Sequence, residues 1–235
     1  MDTLDFSRSP ALNNIPKKKL KEWLATIKES VKDINDQNIK LTAIHRYAES
    51  NIPIEYWSLK MERDFSGDPR LKVKYEEYIA DLKASYINGV SLCFAGMHGV
   101  GKTMAVCCIL KKVTQKGFSG LYTTLSDIVN ALTSAPNEDK FLARRELAMV
   151  DFLVIDEFDS RFMPSDNAAD LYARSLESVF RTRSQNKLPT LMCTNSPNVI
   201  ESLNGPLKAS IDSLMKGYIK VFPVLGDDER KKRAQ

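Results

Sequence analysis

One stretch constrains this chain more than any other. Residues 93–107 read CFAGMHGVGKTMAVC. Within them Gly96-Met97-His98-Gly99-Val100-Gly101-Lys102-Thr103 satisfies G-x-x-x-x-G-K-[ST], the phosphate-binding loop. In a chain of 235 residues this spacing arises by chance with a probability on the order of one in a hundred. Its surroundings lower that chance further. Val90–Ala95 is a short apolar run with the composition of a buried strand, and Met104–Val113 has the apolar density of a helix. Strand, glycine-rich turn and helix, in that order, are the setting in which such a loop cradles phosphate. Glycines let backbone N–H groups close around the oxygens, and the helix N-terminus adds positive potential. Gly96, Met97, His98, Gly99, Val100, Gly101, Lys102, Thr103 and Met104 are therefore the candidate nucleotide-binding residues. Lys102 would reach the outer phosphates and Thr103 would hold Mg²⁺ through its hydroxyl. His98 stands at a variable loop position and reads as a loop side chain rather than a catalytic group. The bland alternative, a glycine-rich turn with an incidental lysine, leaves this context unexplained.

The loop alone does not say what is done with the nucleotide. Kinases, GTPases, helicases, transporters and switch ATPases all carry it, so the rest of the chain must discriminate. With 43% hydrophobic and 27% charged residues the chain has the balance of a soluble protein with a sizeable core. It has no apolar run of about 18 residues, so no membrane span is expected. Its N-terminus, MDTLDFSRSP, is unlike a signal peptide. Cys93, Cys107, Cys108 and Cys193 all lie in apolar segments without metal-ligand spacing, which reads as buried reduced thiols in a cytoplasmic protein. A net charge of +4 decides nothing about nucleic acid.

Along the chain, residues 1–16 read as a disordered tail. Leu20, Trp23, Leu24, Ile27, Val31 and Ile34 recur at helical spacing on an otherwise charged helix. A second helix is expected over 39–50, broken by NIPIEYW at Pro53, and a third over 71–87. From residue 89 strands alternate with helices: strand 120–124, a helix over 128–132 capped by Ser126 and Asp127, helix 138–149, strand 150–157, helix 168–184, strand 189–194, a mostly helical stretch 200–215, and strand 217–224. Such alternation predicts an α/β fold with a parallel sheet flanked by helices. The organisation that follows is a tail (1–16), an N-terminal helical region and linker (17–88) whose Trp23 stripe is either a partner-binding face or packs on its own second helix, a nucleotide domain (89–226) and a charged tail (227–235).

Two further motifs narrow the chemistry. FLVIDE is an apolar strand that delivers Asp156 and Glu157 at its carboxyl end, where ligand sites of α/β sheets lie. Asp156 can join the Mg²⁺ shell, and Glu157 can orient and deprotonate a water that attacks the γ-phosphate. Two adjacent acids there favour hydrolysis over phosphoryl transfer to a small molecule. LMCTN ends the next strand at Asn195, whose side chain can position water beside Glu157 and report nucleotide state.

Together these motifs resemble the AAA+ ATPases of the P-loop ASCE class. The closer resemblance is to the bacterial helicase loaders of the DnaC/DnaI type and their relatives, the IstB-like transposition ATPases. It covers about residues 51–230 and rests on NIPIEYW, GVSLCFAGMHGVGKT, FLVIDEFDS, LESVFRTRSQNKLPTLMCTN and GDDER, in the family's order. The resemblance implies an AAA+ core with a minimal C-terminal lid, ATP and Mg²⁺ as cofactors, and catalytic roles for Lys102, Glu157 and Asn195. It also implies homo-oligomeric or helicase-templated assembly. One departure matters. The family places two arginines in the helix before the last strand, one acting on a neighbouring subunit's nucleotide, whereas PLKASIDSLMKGY puts Ser210 and Ser213 there. Lys208, Lys216, Arg181 or Arg183 would have to substitute. Arg183, which aligns with an arginine the family keeps before LPT, is the interface candidate, with Arg181 beside it. No cysteine precedes Cys93, so the N-terminal zinc site of DnaI-type loaders has no counterpart.

The resemblance implies an ATP-dependent replication protein, a loader that binds a DnaB-type replicative helicase under ATP control. The alternatives are an IstB-like ATPase that binds DNA and a transposase, and an ATP-bound adaptor that hydrolyses weakly. Lys140, Arg144 and Arg145 fall on a helix where the family touches single-stranded DNA, with Phe141 or Tyr122 available to stack on bases.

Overall fold

Three strands of this protein are buried along their whole length: β1 (Ser91–Ala95), β3 (Phe152–Asp156) and β4 (Thr190–Thr194). Strands covered on both faces belong inside a parallel sheet with helices on either side, and the computed structural model has that arrangement. It describes residues 18–22, 25, 34–133, 136–159, 168–196, 208–209, 212–213, 217–226 and 228. With β2 (Gly120–Thr124) and β5 (Ile219–Pro223) at the edges, the order is β2-β3-β4-β1-β5, and every pairing is parallel.

The period-2 alternation of the strands divides the core cleanly. Leu92, Phe94, Phe152, Val154, Leu191 and Cys193 face one layer, while Cys93, Leu153, Ile155 and Met192 face the other. The first layer is centred on α5 (Lys102–Gln115), which is buried along most of its length. On it pack α1 (Ile34–Glu49), the short α2 (Met61–Asp64) and α3 (Pro69–Ala80), with α4 (Leu82–Ile87) following. The second layer holds α6 (Leu125–Thr133), α7 (Asn137–Met149) and α8 (Ala168–Gln185), packed on one another. From Ile44 onward the helical region shares one continuous core with α5.

Several boundaries differ from the sequence reading, each for a local reason. The expected helix over 71–87 is two helices, because Asp81 leaves helical geometry and caps the second through Ala84 N at 3.0 Å. Helix α6 begins at Leu125 rather than beyond Ser126. Its cap is a reciprocal pair in which Thr124 Oγ1 donates to Asp127 Oδ2 at 2.7 Å and Asp127 N donates back to Thr124 Oγ1 at 3.1 Å. After α1 the chain turns at Asn51 (φ 55°) and passes through a single 3₁₀ turn, Ile54–Tyr56. Trp57 is buried there, its Nε1 donating to Ile52 O at 2.8 Å. The buried Lys111 of α5 donates to the carbonyls of Tyr56 and Leu59, and burial lowers its pKa. This lysine fastens the NIPIEYW segment to the helix that follows the phosphate loop. The tail 1–16, most of the Trp23 stripe, Ser210 and Lys216 lie outside the described residues.

Arg183 requires a correction. It is fully buried, not an interface residue. Its guanidinium donates to Thr190 Oγ1 (2.9 Å) and to the carbonyls of Leu147 (2.9 Å), Val150 (2.7 Å), Asp151 (3.3 Å) and Pro189 (2.6 Å). Burial pulls its pKa down to about 10. Arg183 ties the end of α7 to the start of β4, and it has no path to a neighbour's nucleotide. Arg181 is exposed and paired with Glu177 at 2.6 Å.

Arg183→Ala removes a donor shared by four carbonyls and Thr190 Oγ1, with the Leu147 and Pro189 contacts buried, so thermal unfolding is expected about 10 °C below wild type. Arg183→Lys does not restore it, because one ammonium cannot reach acceptors spread around a planar fork. A melting temperature unchanged in both variants contradicts the clamp.

Candidate nucleotide site

The phosphate loop joins β1 to α5 at the carboxyl edge of the sheet. Gly99 (φ 77°) and Gly101 (φ 90°) take left-handed backbone, which the loop's turn requires. Space demands glycine there as well. A Cβ on Gly101 would stand 2.5 Å from the Phe65 ring, and one on Gly96 2.3 Å from Val224 O. Gly101 is the N-cap of α5 and brings no side chain to cap it, so the helix start presents its first-turn N–H groups at the loop. This is an anion-binding helix start of 14 residues. Lys102 lies inside the loop, only 6% exposed. Its Nζ donates to Gly96 O (2.9 Å), Met97 O (2.7 Å) and Asn195 Oδ1 (3.0 Å).

Opposite the loop, β3 ends in Asp156, which is buried, and Glu157, which is exposed. Asp156 Oδ1 accepts from Glu157 N and Oδ2 from the Tyr122 hydroxyl, both at 2.8 Å. Burial, with the Asp156 carboxylate next, pushes the Tyr122 phenol well above its ordinary pKa, so it stays a donor. Glu157 takes φ 51°, a backbone region that non-glycine residues rarely occupy. Phe158 N then donates to Cys193 O at 2.8 Å and fixes that kink against β4. The kink turns the Glu157 carboxylate out of the sheet and into the cavity.

That cavity, of about 320 Å³, is lined by His98, Gly99, Gly101, Lys102, Thr103 and Met104 from the loop side. Tyr122, Asp156, Glu157 and Asn195 come from the strand ends, and Glu55, Tyr56, Leu59, Phe65 and Ser66 from the linker. A larger opening of about 780 Å³ lies between α1 and α7, at the amino ends of the strands. It carries a mixed-charge lining with Arg46, Glu49, Arg145 and Glu146 and no phosphate loop.

The structure thus brings the expected loop residues, the two acids and Asn195 to one place. Gly96, Met97 and Val100 belong to the loop without lining the cavity, and Met97 points outward, 72% exposed. Lys140, Arg144 and Arg145 stand together on α7, away from this cavity, with Arg144 bonded to Ser175 Oγ at 3.1 Å. Phe141 beside them is 65% exposed. Tyr122 is not an outward stacking platform; its hydroxyl is committed to Asp156.

The sequence reading passed over the linker wall of Glu55, Tyr56 and Phe65, and the buttress behind the loop. There Asp68 Oδ2 accepts from Leu225 N at 2.9 Å, and the Arg70 side chain holds the Asp68 carboxyl down at about 2. Periodicity carries no signal for such contacts, since the partners are 157 positions apart.

The donors suit a hard cation. The Thr103 hydroxyl and the Asp156 carboxylate offer oxygens on one cavity, the set that Mg²⁺ takes when phosphates and water complete its shell. Among the described residues no group of three or more His, Cys, Asp or Glu could hold a metal alone. No helix among them is long and apolar enough to cross a membrane.

Comparison with known proteins matches this geometry to a family. The model of the IstB-like ATP binding protein family matches residues 61–186. The replicative helicase loader DnaC of Escherichia coli strain K12 is 27% identical over 157 residues, covering 64% of this chain. The chain spans 58% of the length of that relative. The same identity and coverage hold for the DnaC of Shigella flexneri. Among solved structures, DnaI superposes with a TM-score of 0.60 at 18% identity, covering 76% of this chain and 94% of its own. A DnaC helicase loader gives 0.56 at 18%, covering 74% and 100%. The replication initiator DnaA bound to AMPPCP and single-stranded DNA gives 0.59 at 17%, covering 75% and 51%. These likenesses show the α/β AAA+ fold.

Lys102→Ala removes the one ammonium in the loop, and ATP binding is expected to vanish in a titration with a fluorescent ATP analogue. Retained tight binding in that variant contradicts the site.

Proposed function

We propose, for a chain that belongs to the IstB-like ATP binding protein family, that it is an ATP-hydrolysing switch which loads a replicative helicase of the DnaB type. The observation that carries the ATPase reading is the convergence of Lys102, Asp156, Glu157 and Asn195 on one cavity, with Lys102 Nζ already bonded to Asn195 Oδ1 at 3.0 Å. Incoming phosphates compete with Gly96 O, Met97 O and Asn195 for the Lys102 ammonium. Asn195 is thereby released toward the γ-phosphate and its water, so its side chain registers whether nucleotide is bound. Glu157, turned into the cavity, accepts a proton from that water as its oxygen bonds to the γ-phosphorus. The bond from the γ-phosphorus to the β-γ bridging oxygen breaks, and ADP and phosphate leave. Thr103 and Asp156 would hold Mg²⁺, which when bound neutralises charge on the phosphate oxygens.

The helicase as partner is supported by the likeness to DnaC loaders. The N-terminal region 17–88 is the proposed docking element. Its described part packs directly on α5 and walls the nucleotide cavity, so nucleotide state has a short route to it. The α7 surface with Lys140, Arg144 and Arg145, and Phe141 to stack, is the proposed contact for single-stranded DNA, by phosphate pairing and stacking. Arg181 is the exposed arginine available to a neighbouring subunit. The family model supports a second reading, an IstB-like ATPase that acts with a transposase.

Glu157→Gln keeps every contact that binds ATP and removes the base. Turnover is expected to fall by about 10²-fold or more with ATP binding retained, and near-normal turnover contradicts the assignment. The same variant is the bait for a pull-down from source-cell lysate, with and without ATP, read by mass spectrometry. ATP-dependent recovery of a replicative helicase supports the loader; recovery of a transposase instead moves the function to the second reading.

A further inference from the structure

Asp156 is held from two sides, and one holder has no part in the reaction described so far. The bond from Glu157 N to Oδ1 follows from the kink that ends β3. The bond from the Tyr122 hydroxyl to Oδ2 is made across 34 positions of sequence, from the edge strand. The register sets Thr124, not Tyr122, beside Asp156, and Tyr122 beside Val154. Tyr122 and Asp156 lie on the same face of the sheet, two residues out of step. The tyrosine side chain spans that offset and delivers its hydroxyl to the carboxylate. Its backbone is fixed as well: Tyr122 N donates to Ser50 O, at the end of α1, at 2.8 Å. A phenylalanine would fill the same space against the first core layer, so packing alone does not call for the hydroxyl.

We infer that Tyr122 is a positioning residue that locks the Asp156 carboxylate in the orientation used for the magnesium–nucleotide complex. This rests on the proposal that Thr103 and Asp156 hold the cation. A buried carboxylate with both oxygens engaged has one orientation to offer. Without the hydroxyl it rotates or recruits water, and part of the ordering cost falls on metal binding. Outer-shell partners of this kind typically change metal affinity by about 10-fold or more when removed.

The test is Tyr122→Phe, with binding of a fluorescent ATP analogue measured in EDTA and across a Mg²⁺ titration. The expected result is unchanged affinity in EDTA and a Mg²⁺ midpoint raised about 10-fold. In an Asp156→Asn background, Tyr122→Phe should add nothing further. An unchanged midpoint overturns the inference. So does an equal loss of affinity with and without Mg²⁺, which is the mark of a merely structural hydroxyl. Wild-type binding that ignores Mg²⁺ altogether overturns the metal assignment itself and this inference with it, and the wild-type titration separates that outcome from the others.

Discussion

The ammonium of Lys102 is the point on which the rest of the structure depends. It is buried beside the loop and held by two backbone carbonyls and the Asn195 side chain. Charged phosphate oxygens bind a buried ammonium more strongly than carbonyls do, so the loop is an anion trap. Its contact with Asn195 spans 93 positions and ties the first strand's loop to the end of the fourth. Parallel pairing of β1 with β4 and of β4 with β3 is what brings loop, sensor amide and acids to one edge. Topology, more than any single side chain, builds this site.

Around that centre the structure invests in rigidity. Lys111 fastens the linker to α5, Asp68 fastens the segment after β5, and Phe65 and Val224 press on the loop glycines. The loop's glycines are therefore needed for two separable reasons, backbone conformation and space. Arg183 performs a similar service on the far layer, joining the end of α7 to β4. Its conversion from an expected interface residue to an interior clamp shows how an arginine at a family position can serve the fold rather than a neighbour.

The motifs with local cause were legible in the sequence. The loop at 96–103, the acids at 156–157 and Asn195 follow from strand ends and glycine spacing, and the alternation of elements gave the parallel α/β sheet. Contacts whose partners are distant in sequence were not legible. Tyr122 read as a candidate for base stacking, and only the fold shows its side chain reaching across the register to Asp156. Arg183 was an interface candidate because it aligns with an arginine the family keeps before LPT, and only the packing of α8 shows five acceptors around it. The break at Asp81 and the cap at Thr124 failed for a smaller reason, since polar residues near a boundary compete for the same role.

The central claim is that nucleotide at the Lys102 loop is felt by the linker and the helices that precede it. Hydrogen–deuterium exchange of the intact chain, with and without a non-hydrolysable ATP analogue and Mg²⁺, tests this most directly. Protection is expected to rise together in the loop, residues 96–104, and in the linker, residues 54–66. Protection confined to the loop, or none at either segment, would contradict the account.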